Sequence, residues 1–562
     1  MEPSGRVGDP VAEDTFLGHR ALQAWPLILL TTAPVLLEAA VLRWVHFTSA
    51  MGLAPQVSAT ATFGVFHDLR WLLVYHRTWW GFVLEFLAAL VLRSLLMGGI
   101  VHAAWPPDAA RPPLRTTLWR SAAFTFATMV FLSPWAVVAL AASETALSWF
   151  FLGELLPVLF LGVFLSKGGI AKGWWRGMPC WGAMGWTFVS FFMLCLDAMV
   201  VSFTPGWWQV PVAGAAGAVN AWLWHRTVHS VVHGSPRAPH LPTVPIAYVV
   251  SALSLVALGQ FSIIGTQLAQ RPVPPIRAAH APQLPDKILF VAGFDSLFEP
   301  ARTRGDPVIH YSYRGLRNGK PLGYGPAWTH ESMLLAADKL AHQVQVAHRH
   351  TGMPIALVGQ SEGTFVIRAY LERHPARHVD AVVLLSPLVR PGRIYYPPPD
   401  RSSGWGYVAG WELRGMLAVV RKTSGTHLNA DEPFLRSVLD NAPLFRNTMM
   451  CPVKGVRMVA FLPTVSAAVV PPGAVSHIPT IELPGLHAAL LGRPSVQERM
   501  QRFLMGQKAG NAPGLYYPII QKASSAWEAP ALALSLNPVW HAQGLPDTAF
   551  GDDGCVAAAS GR

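Results

Sequence analysis

Ile355-Ala356-Leu357-Val358-Gly359-Gln360-Ser361-Glu362-Gly363-Thr364-Phe365-Val366-Ile367-Arg368-Ala369-Tyr370-Leu371 decides how the rest of the chain is read. Its centre fits G-x-S-x-G, the pattern in which a serine on a sharp strand-to-helix turn has its hydroxyl pushed clear of the backbone. Glycine at the flanks, here Gly359 and Gly363, lets neighbouring segments come close. Five letters recur by chance, so the flanking residues carry the weight. Ile355–Val358 is a short apolar run, as a strand buried in a parallel sheet requires. Thr364–Leu371 has helical spacing and runs on to Pro375. Strand, turn and helix in that order make Ser361 the candidate nucleophile.

Strands and helices alternate around this stretch. Lys287–Ala292 reads as a strand and is followed by Gly293-Phe294-Asp295-Ser296. Val308–Tyr313 reads as another, ending at Arg314-Gly315, and helical periodicity runs from Ala327 to about His350. Val379–Leu385, Val456–Leu462 and Ile478–Leu483 are further strands, the last leading to His487, and Ser495–Met505 closes as a helix. Alternation of this kind implies a mostly parallel sheet with helices on both faces.

From about Asp286 to Gly506 the chain resembles the α/β-hydrolase superfamily. The strand ending at Gly293 is similar to the one before the oxyanion loop. Tyr311-Ser312-Tyr313-Arg314-Gly315 is similar to the next strand and its Arg-Gly turn. Gly359–Gly363 is similar to the nucleophile elbow, and Leu486-His487-Ala488-Ala489-Leu490-Leu491 to the catalytic-histidine turn. The resemblance implies an α/β-hydrolase domain over residues 286–507, with Ser361 as nucleophile. A serine hydroxyl needs a base, and among histidines that include His310, His330, His350 and His427, it is His487 that follows the final strand. Backbone N–H groups must meet the developing oxyanion, and the implied donors are those of Glu362 and Phe294. The acidic side chain of Glu362 reads as one favoured by the helix N-terminal dipole.

The triad acid departs from the family pattern. After the strand ending near Leu462 the chain reads Pro463-Thr464-Val465-Ser466-Ala467-Ala468-Val469-Val470, with no carboxylate, and Ser466 or Ala467 stands where an Asp would align. Either Asp295, Asp431, Asp440 or Glu482 supplies the acid, or Ser361 and His487 act as a dyad. Residues 388–455 form an insertion at the usual lid position, with Tyr395, Tyr396, Trp405 and Trp411. Residues 508–562 form an extension whose Tyr516, Tyr517, Trp527 and Trp540 are expected to pack on the domain or meet the bilayer, with a disordered end.

The first half is of another kind. The chain has 562 residues, 52% hydrophobic and 13% charged, with 22 Trp, too apolar for a soluble protein of this length. After a tail over residues 1–21, residues 22–267 read as a polytopic membrane domain of about seven helices. They lie near Leu22–Val45, Trp79–Ala103, Trp119–Ala142, Ala146–Ser166, Trp181–Phe203, Val210–Val231 and Val244–Gln267. Residues 268–285 are Pro-rich and read as an extended tether. The formal net charge of +12 fits membrane topology better than nucleic acid: Arg111, Arg115, Lys167, Lys172, Arg176, Arg226 and Arg237 fall in or beside alternate loops. That bias puts the N-terminus in the cytoplasm and everything after Arg271 outside. Glu38, Glu85, Glu154 and Asp197 lie inside expected spans, where carboxylates are costly. They either share a polar vestibule beneath the second half or pair with nearby groups such as His76. The loop from His46 to Thr78 reads as rising on the outer side, with Asp68–Tyr75 apolar enough to lie along the interface.

No zinc-type spacing, P-loop or nucleic-acid motif is present, so no cofactor or metal is expected. Of the four cysteines, Cys180 and Cys195 fall with the membrane segments. Cys451 and Cys555 could bridge if that half is exported, although free or buried thiols are the simpler reading. The leading expectation is a membrane-bound serine hydrolase acting on an ester or thioester of an amphiphile. The alternatives are an acyltransferase sharing the same acyl-enzyme, and a transport or sensor protein whose second half only binds.

Overall fold

The computed structural model describes residues 10–145, 157–247, 249–250, 253, 276–280, 284–303, 305–389, 394–424, 429–468, 476–485, 487, 490–509, 514, 516–527, 536–542 and 555. Among them, four helices are long and apolar enough to cross a bilayer: Ala24–Trp44, Trp79–Ala103, Leu114–Val138 and Trp181–Phe203. Each is about 30–38 Å long at the helical rise, which matches a hydrocarbon core. The first belongs to a helix that begins at Pro10, inside the expected tail, and the third to Leu114–Thr145. The expected sixth span is the helix Gln209–His233, whose Asn220, Arg226 and three histidines make it less apolar than those four. The expected fourth and seventh spans lie largely outside the described residues, although 157–164 and 243–247 are helical.

Exposed tryptophans mark both ends of these helices. Trp44, Trp79, Trp80, Trp207 and Trp208 stand at one end, and Trp25, Trp119, Trp175 and Trp181 at the other. Two such collars, one helix length apart, are where indole rings sit at a bilayer's two interfaces. The basic loops gather at the second collar. There Lys167 donates to the Arg176 carbonyl, Met178 bridges to Arg237, and Gly177 N donates to the Leu241 carbonyl.

The segment between the first two spans corrects the sequence reading. It is not an interfacial loop but a 3₁₀ run, Thr48–Ser58, and a helix, Ala61–Leu73, both buried against the spanning helices. Phe63, Val65, Phe66, Leu69 and Leu73 are at most 1% exposed. The His67, Asp68 and Arg70 of this helix are met by Glu38, Arg93 and Gln56, so the helix can lie inside the bundle rather than along a surface.

The second half is built on a parallel sheet. Its strands are β1 (Lys287–Val291), β2 (Ile309–His310), β5 (Ile355–Gln360), β6 (Val379–Leu385), β7 (Arg457–Pro463) and β8 (Thr480–Leu483). They are ordered β2-β1-β5-β6-β7-β8, every neighbouring pair parallel. A short hairpin, β3 (Leu316–Arg317) with β4 (Lys320–Pro321), was not foreseen, and β2 is shorter than the sequence suggests. Helices Met333–Thr351, Glu362–Arg373 and Pro494–Leu504 bury apolar faces against the domain. The middle strands are buried on both faces, as parallel strands require. Part of the expected tether belongs to this core. Ile276 is buried, Arg277–His280 is a 3₁₀ turn, and Arg277 N donates to Gln497 Oε1 at 3.1 Å.

The two halves touch at the first tryptophan collar. Ser133, in the later part of Leu114–Thr145, donates to Glu412 of the insertion (2.7–2.8 Å). Gln56 and Arg70 donate to the Ala526 carbonyl, and Ser202 meets Ser525 at 3.1 Å. The basic loops lie at the far end of the same helices.

Candidate active site

Ser361 follows β5, third in the sheet, and its backbone has φ 53° and ψ −119°. That left-handed value is strained for a non-glycine residue and is held by the surroundings. Ser361 N donates to the Leu385 carbonyl at 2.9 Å, while its own carbonyl accepts from Thr364 N (2.9 Å) and Thr364 Oγ1 (2.6 Å). Both flanking glycines are needed for closeness. A Cβ on Gly359 would stand 2.8 Å from the Gly363 carbonyl oxygen, and one on Gly363 would collide with the Val291 carbonyl. The helix Glu362–Arg373 starts directly after the serine.

His487 comes to this serine from the far end of the sheet, past β8. Its Nε2 lies 2.8 Å from Ser361 Oγ, a hydrogen bond between residues 126 apart in sequence. The ring is buried, and burial holds its pKa down at about 4, so the imidazole stays a neutral base. Ser386, at positive φ just after β6, donates through Oγ to the His487 carbonyl at 2.6 Å. Sequence reading missed Ser386. A lone serine after a strand carries no signal, because its partner lies 101 residues on.

His487 Nδ1 has no hydrogen-bond partner among the described residues. Each carboxylate considered for the triad acid is engaged or placed elsewhere. Asp295 Oδ1 accepts from His330 Nε2 at 2.7 Å. Asp431 holds Arg414 with two bonds of 2.7 Å, and Asp440 pairs with Arg436 at 2.8 Å. Glu482 lies on β8, where its carboxylate accepts from the Gly514 backbone N–H. Ser466, in the 3₁₀ turn after β7, is buried and its Oγ is unpartnered among the described residues.

On the other side of the serine stands the loop after β1. A Cβ on Gly293 would be 3.0 Å from Ser361 Cβ, so the loop passes directly over the nucleophile. The neighbouring amides are committed, Asp295 N to Thr329 Oγ1 (2.9 Å) and Ser296 N to the Gly293 carbonyl (3.2 Å). Phe294 sits between Gly293 and Asp295, and Glu362 N is a first-turn amide without an intrahelical acceptor. Phe294 stacks on His330, ring centroids 4.4 Å apart, and touches Phe434 of the insertion at 5.5 Å. Burial alone pulls His330 down, but its bond to Asp295 and the charges of Glu432 and Asp295 prevail and push it up.

The side chain of Glu362 departs from expectation. It is 3% exposed, and neither carboxyl oxygen has a hydrogen-bond partner among the described residues. Burial, and then the charges of Asp295, Glu331 and Glu432, push its pKa well above the carboxylate range. Desolvation thus favours the neutral acid over the carboxylate and outweighs the helix-dipole effect expected from its place in the first turn.

Glu38, Glu85 and Asp197, the described members of the four expected intramembrane carboxylates, share no hydrogen-bond partner among the described residues. Glu38 meets His67 Nε2 at 3.0 Å, and His67 Nδ1 meets Asp68, which holds Arg93 through two short bonds (2.6 and 2.5 Å). Glu85 pairs instead with Tyr75 and His76. Asp197 is buried with Oδ2 unpartnered, and Glu154 lies outside the described residues. Pairing, rather than one shared vestibule, accounts for Glu38 and Glu85.

Cys451 and Cys555 form a disulfide, which overturns the simpler expectation of free thiols there, while Cys180 and Cys195 are free. Among the described residues no group of His, Cys, Asp and Glu is arranged to hold a metal ion. No family model matches the chain, and neither the curated proteins nor the solved structures contain a match.

Proposed function

We propose that the protein is a membrane-bound serine hydrolase of the α/β-hydrolase type, cleaving an ester or thioester of an amphiphile through an acyl-enzyme. The observation that carries this reading is the 2.8 Å bond between His487 Nε2 and Ser361 Oγ at a strained strand-to-helix turn. Neutral His487 takes the serine proton as Oγ attacks the carbonyl carbon, and the Glu362 and Phe294 amides receive the oxyanion. The histidine then returns the proton to the leaving oxygen or sulfur. Water, activated by the same imidazole, releases the acid and restores Ser361. With His487 Nδ1 unpartnered among the described residues, the pair is read as a dyad.

The catalytic half is assigned to the extracytoplasmic side. Its contacts with the spanning helices lie at the end opposite the Lys- and Arg-bearing loops, and basic loops stay inside. The Cys451–Cys555 disulfide fits an oxidising compartment. The test is labelling of the full-length protein with a fluorophosphonate probe. Wild type is expected to label and Ser361→Ala to stay dark while still folding and inserting. Labelling that survives the substitution removes Ser361 from the mechanism.

A further inference from the structure

The insertion between β6 and β7 contains the helix Tyr407–Ser424, which has two apolar faces. One is buried, with Val408, Ala409, Leu413 and Val420 turned to the protein. The other carries Trp411, 57% exposed, and Val419, 52% exposed, with Gly415 and Ala418 between them. The spacing i, i+4, i+7, i+8 makes one continuous stripe on a helix. Arg421 and Lys422 follow in the last turn.

The place of this stripe says what covers it. Trp411 lies edge-to-face against Trp79, centroids 6.1 Å apart, and Trp79 is the first residue of a spanning helix and part of the tryptophan collar. One residue on, Glu412 accepts from Ser133 of a second spanning helix. The exposed stripe is thus continuous with the lipid-facing collar formed by Trp44, Trp79 and Trp80. An amphipathic helix at that level, with cationic residues at its end, matches the interfacial zone of a bilayer and its anionic headgroups. The same insertion reaches the site: Glu432 Oε2 lies 3.5 Å from His330 Nδ1, and Phe434 touches both Phe294 and Phe365.

We infer that the Trp411–Val419 face of this helix is seated in the interfacial layer of the bilayer, extending the collar, and that the insertion brings membrane-lipid esters from that leaflet to Ser361. The second half of this inference rests on the serine-hydrolase reading; the first does not.

Full-length protein in vesicles of phosphatidylcholine and phosphatidylglycerol provides the test. A spin label is placed at Val419→Cys, with Cys180→Ser and Cys195→Ser in the background, and at the exposed Arg401→Cys as the aqueous reference. The Val419 label is expected to collide more with oxygen than with a water-soluble nickel chelate, and the Arg401 label the reverse. A Val419 label open to the chelate overturns the seating, and so does dipolar coupling between Val419 labels, which would mean that a second copy covers the face. Catalysis gives a separate arm. The ratio of turnover on vesicle-borne p-nitrophenyl palmitate to that on dissolved p-nitrophenyl acetate should fall about tenfold in the double variant Trp411→Glu, Val419→Glu. An unchanged ratio overturns lipid delivery. Hydrolysis of both esters by Ser361→Ala would sink the serine-hydrolase reading and leave the label result standing.

Discussion

Trp527 lies face to face with Phe191, ring centroids 4.7 Å apart, so a residue of the C-terminal extension sits inside the membrane half. The indole is 1% exposed, is flanked by Phe63 and Phe66, and donates to Cys195 Sγ at 3.1 Å. Next to it, the Ala526 carbonyl accepts from Gln56 and Arg70, two polar groups buried among the spanning helices. The preceding helix, Tyr516–Ser524, also packs on the turn after β7, where Ser524 Oγ donates to the Ala467 carbonyl at 3.4 Å. A single element therefore ties the turn after β7 to the membrane half.

Trp527→Ala should open a cavity at this junction. Truncating a buried Trp costs about 3–5 kcal/mol. The full-length variant in detergent should melt at a lower temperature than wild type and be cut faster by protease in the C-terminal extension. Wild-type melting and proteolysis would show that the extension is not a structural tie.

The depressed pKa of His487 sets an expectation for pH. Its folded-state value, about 4, lies below the ordinary 6.5, so the imidazolium is disfavoured in the fold. The base is then neutral throughout the range above about 4, and the acid limb of kcat/KM should fall near that value rather than near 6.5. The unfolded state binds more protons between those two values, so this group's contribution to stability is lost as pH falls through the same window. Initial rates on a soluble ester across the acid range check this. A limb centred near 6.5 would mean that the histidine is solvated when it works.

The strand, turn and helix around Ser361 and the place of His487 were legible in the sequence because each rests on local pattern: an apolar run, paired glycines, and a histidine after the last strand. What was not legible rests on partners distant in sequence. Ser386 becomes meaningful through its bond to the His487 carbonyl, and Cys451 through Cys555. The aromatic character of Trp527 was visible, but not that Phe191 receives it. Ala61–Leu73 carries His67, Asp68 and Arg70 among apolar residues, and composition alone does not say whether such a helix lies along a membrane or inside a bundle. Glu362 was misread because its neighbours Asp295, Glu331 and Glu432 come from three other segments.

The missing acid can be supplied. Ser466 is buried, its hydroxyl has no partner, and His487 Nδ1 has none among the described residues. Ser466→Asp is expected to leave kcat/KM unchanged or raise it, since an aspartate reaching Nδ1 would orient the imidazole and stabilise the imidazolium. A carboxylate buried there without that pairing would cost stability and gain nothing. A folded variant with a clear fall in kcat/KM would mean that the turn after β7 does not face the histidine.

Glu362→Gln tests whether the residue after the nucleophile is protonated. The hydrogens of the Tyr311 and Tyr313 hydroxyls are given to the Ala336 and Ala292 carbonyls. The folded-state pKa of Glu362 is raised well above the ordinary 4.5. Above that ordinary value the unfolded chain releases a proton that the folded chain keeps. Glu362 therefore lowers stability progressively as pH rises through the window up to its raised value. Glutamine has the same shape and no such proton, so the variant should lose less melting temperature than wild type as pH rises above the ordinary carboxyl value of 4.5. Because the amide of residue 362, not its side chain, is assigned to the oxyanion, fluorophosphonate labelling should persist in the variant. Equal pH dependence in the two proteins would show that Glu362 is ionised or solvated in the fold, and loss of labelling in a folded variant would give its side chain a part in the chemistry.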